Sequence, residues 1–314
     1  MSTAPPPKRD KLQWEYPVAG LISGFTTVTV KYPLDLVSTR LQVNDGRLFS
    51  QFPRYKNTAH AIFTIARFDG LKGLYAGFLA GVLGTGISSG LALVYYARSK
   101  QRYAKSKEEK FSPGLASAVE TGALVCLCAN PVWMVKTRLQ LQTPLQPTRP
   151  YSGLYDAFRT IVREEGFSAL FRGIVPGLFL VAQGVIHVTA YQELRKTLVH
   201  FKTKGSNIQH QNPDKILNSV DSAVLGATSK VAAILPNYPF HVIRTRLQLR
   251  PDSDGISRYK NSWHVVKETA RFEGVRGFYK GLTANLLKNI PAASVTFIVY
   301  ENVLKLLKHA RRND

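Results

Sequence analysis

An all-α membrane protein, with six transmembrane helices in three tandem repeats, is the architecture that this 314-residue chain predicts, and three observations carry it. One phrase occurs three times: PLDLVSTRLQ at residues 33–42, PVWMVKTRLQ at 131–140 and PFHVIRTRLQ at 239–248. A second phrase keeps the same period. FDGLKGLYAG, EEGFSALFRG and FEGVRGFYKG place an acid-linked glycine at Gly70, Gly166 and Gly274, and a further glycine at Gly77, Gly173 and Gly281. Such repetition settles a tandem array before any other reading. Third, residues 77–96 and 173–192 carry no Lys, Arg, Asp or Glu. At about 1.5 Å per helical residue, each is long enough to cross a hydrocarbon core of about 30 Å.

Each unit supplies two spans. The first runs up to the repeated proline, and its apolar stretch is interrupted by Lys31, Glu120 or Lys230. The second follows Gly77, Gly173 or Gly281, and in the third unit it contains Lys288. Small residues one turn apart precede each proline (Gly20 and Gly24, Ala118 and Gly122, Ser222 and Gly226) and are expected to let membrane helices pack closely. A proline inside a helix removes a hydrogen bond and bends it. Three bends at matching positions would draw three helices together, and the residues two and five places beyond each proline share a face on which inter-helix bonds could close a cavity. The units divide as a tail at 1–15 and repeats at 16–107, 108–213 and 214–314.

A mean hydropathy of −0.09 would also suit a soluble helical repeat protein, but apolar stretches in register with the repeat favour the membrane. The net charge of +22 points to nucleic acid, anionic lipid or an anionic substrate. No nucleic-acid-binding module is present, so nucleic acid is not expected as a partner. Basic residues flank the spans on both sides and do not fix an orientation. Cys126 and Cys128 would point about 200° apart on a helix, so they cannot pair with each other there, and the seven histidines do not cluster into metal-ligand spacing. Phosphate loops, catalytic triads and metal motifs are absent from the sequence, and neither an enzyme nor a cofactor or metal is expected. The first residues, MSTAPPPKRDKLQWEY, show neither a secretory apolar core nor transit-peptide character, so an organelle address would be internal.

The two repeated phrases resemble the Pro-x-acid-x-x-base and acid-Gly signatures of the mitochondrial carrier family, over almost the whole chain. The resemblance implies a six-helix monomer with threefold pseudosymmetry, a short surface helix inside each repeat, and alternating access around one central site. It also implies an inner gate in which the acid position of one repeat faces the base position of the next: Asp35 with Lys136, Trp133 with Arg244, and His241 with Ser38. Gln42, Gln140 and Gln248 match the glutamines that brace this ring. Only the first pair is ionic. Arg244 over Trp133 is expected to be a cation–π contact, and His241 with Ser38 a neutral hydrogen bond. At the other end the implied outer gate retains Lys100, Arg195 and Glu301, and with one acid left it is expected to be loose.

The same resemblance places substrate contacts at Gly84, at Leu180 with Val181, and at Lys288 with Asn289. Lys230, inside a span, adds a cation on the face that lines the cavity. Small, apolar and basic contacts together suit a ligand with flat rings at one end and an anionic group at the other. Trp133 followed by Lys-Thr-Arg, with strings such as LVCLCANPVWMVKTRLQLQTPL, is similar to the branch that carries folates, flavin nucleotides, pyrimidine nucleotides and NAD, and closest to its plant folate and FAD carriers. In the second span Ser89 and Ala92 stand where that branch has aromatic rings. The expected cargo is folate or FAD, with a pyrimidine nucleotide or NAD next and a degenerate carrier serving as scaffold or ion leak as the remaining reading. Anionic lipid such as cardiolipin is an expected partner. Glu120 is either a proton-coupling carboxylate or a helix-packing partner. The mitochondrial inner membrane is the expected location, with the plastid envelope as the alternative.

Overall fold

The computed structural model describes residues 15–45, 53, 55–105, 113–146, 149–205, 219–251 and 257–313, so most of the expected N-terminal tail lies outside the described residues. Each repeat begins with a long helix that contains the repeated proline: α1 (Glu15–Val43) with Pro33, α5 (Pro113–Leu141) with Pro131 and α9 (Ser219–Leu247) with Pro239. The returning helices are α4 (Phe78–Lys105), α8 (Ala182–Gly205) and α11 (Leu282–Asn313). Short helices join them: α2 (Thr58–Phe68) with α3 (Gly70–Gly73), α6 (Leu154–Glu165) with a 3-10 turn at Phe167–Phe171, and α10 (Ser262–Gly277). Asn57 and Asn261 cap α2 and α10, each accepting 2.8 Å bonds from the backbone N–H of His60 and His264. Such a cap satisfies one of the four N–H groups a helix start leaves over.

Three stretches, Gly70–Tyr103, Gly114–Leu141 and Phe167–Lys202, are apolar and long enough to cross a membrane by length and composition. The second repeat's return is not one smooth helix. A separate segment, α7 (Ile174–Phe179), ends at a turn through Leu180 and Val181, where three-residue backbone bonds replace the helical pattern. Among the four glycines of the expected small-residue pairs, close packing is present at one. Val181 fills the groove beside Gly122, whereas Gly20, Gly24 and Gly226 face open space. Instead, α1 and α11 meet through a 2.8 Å hydrogen bond between Thr27 and Thr296. α4 and α5 are tied by Arg102, which donates to Glu120 at 2.8 Å. That geometry puts Glu120 in the helix-packing role.

The buried core sits at one end of the bundle, called the inner end below, where the proline-bearing helices finish above the short helices. Leu36 and Val37 pack with Ala61, Ile65 and Ala284; Val135 and Leu139 with Tyr151, Ile161 and Leu170; Ile243 and Leu247 with Val43, Leu141 and Val265. The first cluster takes Ala284 from the third repeat, the second takes in Ala80 from the first, and the third draws on all three repeats. All six repeated glycines have φ between +62° and +82°, in the range that favours glycine, and no other described residue does. At Gly281 (φ +80°) the reason is visible. A Cβ there would lie 2.8 Å from the Ser38 carbonyl oxygen, and Gly77 and Gly173 press in the same way on the carbonyls of Lys136 and Arg244. Glycine is what lets each returning helix approach the next repeat's backbone.

A buried arginine locks each repeat at this end. Arg40, Arg138 and Arg246 are the arginines of the three Thr-Arg-Leu-Gln strings, and each is 2% exposed or less. Their forks bind the acid of their own repeat's acid-Gly pair: Arg40 to Asp69 at 2.5 Å, Arg246 to Glu273 at 2.6 and 3.0 Å, and Arg138 to Glu165. Each Nε then donates to the backbone carbonyl of the next repeat's glutamine, Gln140, Gln248 and Gln42 in turn. Planar bidentate pairing of this kind is strong and directional. A second cation supports two of the acids, Arg172 on Glu165 at 2.8 Å and Lys280 on Glu273 at 2.5 Å; the matching residue of the first repeat is Ala76. Burial alone would raise the Glu273 carboxyl, but Arg246 and Lys280 outweigh it and hold it below the usual glutamate range.

Candidate functional site

The side chains just beyond the three prolines face one another above this core. Of the three pairs implied from sequence, the structure brings together one. Lys136 Nζ donates to Asp35 Oδ2 at 2.5 Å, and Gln140 Nε2 reaches the same oxygen at 3.1 Å. The other carboxylate oxygen is also taken, because Lys288 Nζ donates to Asp35 Oδ1 at 2.6 Å. A residue expected to touch substrate thus holds the ring in this state. Thr39 completes the cluster with a 3.0 Å bond to Gln140 Oε1.

The other two pairs are replaced. Arg244 does not lie over Trp133; its guanidinium donates to Asn130 Oδ1 at 3.0 Å. The cation over the indole is Lys136, 5.0 Å from the ring centroid, and Trp133 Nε1 donates to Ser88 at 3.1 Å. The cause is local. Asn130 stands where the other repeats have Tyr32 and Tyr238, whose hydroxyls donate to the carbonyls of Ala76 and Lys280 at 2.9 Å. The shorter Asn130 makes the equivalent bond to the Leu170 carbonyl at 2.7 Å and still offers its own oxygen to Arg244. His241 and Ser38 also part. His241 Nε2 pairs with Gln183 at 2.9 Å, and Ser38 donates to the Gly281 carbonyl at 3.2 Å. A hydroxyl on so short a side chain finds the carbonyl that Gly281 brings against it.

The glutamines follow the same division. Gln42 accepts from Thr245 at 2.6 Å and donates to the Tyr238 hydroxyl at 3.2 Å, so the repeats 1 and 3 are joined by neutral bonds. Gln248 reaches only the Arg172 carbonyl, at 3.4 Å. Within the ring Asp35 therefore carries the ionic links, to Lys136 across the seam of the first and second repeats and to Lys288 across that of the first and third, while His241 and Arg244 meet neutral partners.

Above the ring, Lys230 on α9 is partly buried and lies within electrostatic reach of Lys288 and His187. Gly84 backs onto α5, where a Cβ would meet Val132 at 3.3 Å and the Trp133 ring at 3.6 Å. Leu180 and Val181 occupy the turn between α7 and α8, and Asn289 turns back to Asn285 at 2.8 Å. At the outer end Lys100 and Glu301 are exposed, Arg195 is partly buried, and Glu301 comes within 3.9 Å of Lys305 on its own helix. Two lysines, Lys136 and Lys288, share the one carboxylate of Asp35, and Lys31 lies one turn before it on α1. Sequence reasoning did not find Gln183, Ser88 or Asn130. Only Asn130 left a signal, as the odd residue before a repeated proline.

A six-helix bundle with three proline-bearing helices closed at one end, and lysines within its spans, is the architecture of a membrane solute carrier. The chain belongs to the mitochondrial carrier protein family, which it matches in three successive segments, residues 10–107, 107–202 and 216–311. It is 63% identical to folate transporter 1, chloroplastic, of Arabidopsis thaliana, over 94% of this chain and 96% of that one. It is 33% identical to mitochondrial nicotinamide adenine dinucleotide transporter 1 of Saccharomyces cerevisiae, over 90% and 74% of the two chains. Against nicotinamide adenine dinucleotide transporter 1, chloroplastic, of Arabidopsis thaliana, the identity is 31% over 92% and 90%.

Proposed function

We propose that this carrier moves folate across an organelle membrane by alternating access. The observation that carries the reading is the 63% identity, end to end, with a chloroplastic folate transporter. The side chains agree with it, since the spans carry Lys31, Lys230 and Lys288 and an excess of positive charge would favour an anionic substrate. The relative's name also favours the plastid envelope over the mitochondrial inner membrane. FAD is the nearest alternative cargo. NAD is a second reading, supported by the two relatives at 33% and 31% identity.

In this reading Lys288 couples binding to opening. The substrate's anionic end competes with Asp35 for Lys288, and each lysine lost from Asp35 weakens the closure, Lys136 between the first and second repeats and Lys288 between the first and third. The inner end then opens and the outer ring, with Lys100, Arg195 and Glu301, draws together. The protein acts as a monomer and as a transporter rather than an enzyme.

Anionic lipid has a place as well. A cleft of about 750 Å³ lies where Asn57, Thr58 and Ala59 at the start of α2 meet Gly281 and Thr283 beside α11, with Lys56 and Lys280 at its edge. Backbone N–H groups at helix starts favour phosphate, so a headgroup such as that of cardiolipin suits it. Uptake of labelled folic acid by liposomes containing the purified protein tests the cargo. Saturable uptake, inhibited by unlabelled folic acid and little affected by NAD or FAD, is the expected result; inhibition by NAD or FAD at lower concentration than by folic acid would reassign the substrate.

A further inference from the structure

Each residue two places beyond a repeated proline is held by the returning helix of the repeat before it, taken cyclically. Asp35 accepts from Lys288 of α11 at 2.6 Å, Trp133 donates to Ser88 of α4 at 3.1 Å, and His241 Nε2 donates to Gln183 Oε1 of α8 at 2.9 Å. The third contact leaves the most hydrogen-bonding capacity over. Gln183 accepts through its oxygen, and among the described residues its amide nitrogen, which carries two N–H donors, makes no hydrogen bond. Gln183 is only partly buried, and its backbone N–H donates to the Leu180 carbonyl at 3.1 Å, which sets it beside the turn through Leu180 and Val181. One helical turn further on, His187 begins a cleft of about 690 Å³ that Tyr191 and Arg195 of the same helix continue toward the outer end. The amide therefore stands between the closed ring and an open cleft with its donors unspent. We propose that Gln183 is a specificity-determining residue whose amide N–H groups bind the acceptor edge of the substrate's flat ring system.

The inference rests on the folate reading and sharpens it. On the pterin of folic acid the carbonyl oxygen at C4 and the ring nitrogen N5 lie side by side, and both are acceptors that a primary amide can serve. A flavin carries the same pair, whereas nicotinamide does not. His241 acts as a positioning residue, because its bond to Oε1 fixes which end of the amide is left for the ligand. A site that hydrogen-bonds a substrate group discriminates against an analogue that cannot return the bond, since its own donors are then left unpaired.

The test compares folic acid with aminopterin, its 4-amino analogue, which presents a donor where folic acid presents the carbonyl acceptor. In liposomes containing the intact protein, inhibition of labelled folic acid uptake by each unlabelled compound gives the preference between them. The wild-type chain is expected to favour folic acid about tenfold, the effect of one hydrogen bond made or left unmade. Gln183→Leu should weaken folic acid about tenfold, leave aminopterin within about twofold, and so erase the preference. Gln183→Glu puts acceptors in place of the donors and should reverse it. A merely structural role for Gln183 would weaken both compounds alike. No preference in the wild-type chain, or an unchanged one in Gln183→Leu, overturns the inference and leaves the folate reading standing. Should Gln183→Leu fail to fold, the same ratio in Gln183→Glu decides. Absence of folic acid uptake by the wild-type chain would instead overturn the folate reading, and this inference with it.

Discussion

Two sets of basic positions lie side by side on the same three helices and behave in opposite ways. Arg40, Arg138 and Arg246 are identical in all repeats and make the same two connections, an acid below and a backbone carbonyl across the seam. Two residues earlier stand Ser38, Lys136 and Arg244, which differ in chemistry and find three unrelated partners. The difference follows from what each set must do. A buried arginine fork facing a buried carboxylate has no neutral substitute of the same shape, so the frame admits little change. A ring of partly buried contacts can exchange its partners for neutral ones, or for one from another helix such as Lys288.

The frame is where substitution should cost most. Arg40→Ala leaves Asp69 buried without its partner and is expected to lower stability by about 3–5 kcal/mol, enough to abolish a sharp thermal transition in detergent. Arg138→Ala and Arg246→Ala should cost less, because Arg172 and Lys280 still hold Glu165 and Glu273. Equal losses in all three would break the distinction between the first repeat and the others.

Next come the glycines of the seam. Gly281→Ala forces a Cβ against the Ser38 carbonyl as well as a left-handed backbone, whereas Gly70→Ala (φ +72°) meets open space and suffers the backbone strain alone. That strain is about 1–2 kcal/mol, so Gly70→Ala should lower the thermal midpoint modestly and Gly281→Ala clearly more. The smallest effect is in acid. Glu273 has a lowered folded pKa, so its contribution is complete above the unfolded glutamate range near ~4.3 and is lost as pH falls through the lower folded value. The thermal midpoint of the wild-type chain should therefore fall more steeply between about pH 5 and pH 3 than that of Glu273→Gln.

Much of the frame was legible from residues alone, because prolines, glycines and acid-linked arginine strings recur at fixed positions. The returning helices were legible as uncharged stretches following Gly77 and Gly173. Partner choice in the ring was not. It depends on the length of neighbouring side chains: Asn130 in place of a tyrosine draws Arg244 away from Trp133, and Gln183, from a helix with no recognisable motif, takes His241. The double use of Asp35 was likewise hidden, since Lys288 is remote in sequence and meets it only when the first and last helices pack together.

The claim that closure of the inner end hangs on Asp35, with the neutral contacts of the ring contributing little, can be examined through Ser38, which is 1% exposed behind the ring. With Cys126 and Cys128 replaced by serine and Ser38→Cys as reporter, the rate of alkylation of the purified protein follows opening of the ring. Asp35→Asn should accelerate labelling at least about tenfold, the change expected when about 1.4 kcal/mol or more of closure is lost, and His241→Ala less than twofold. Equal acceleration by the two substitutions, or none by Asp35→Asn, would contradict an ionic closure centred on Asp35.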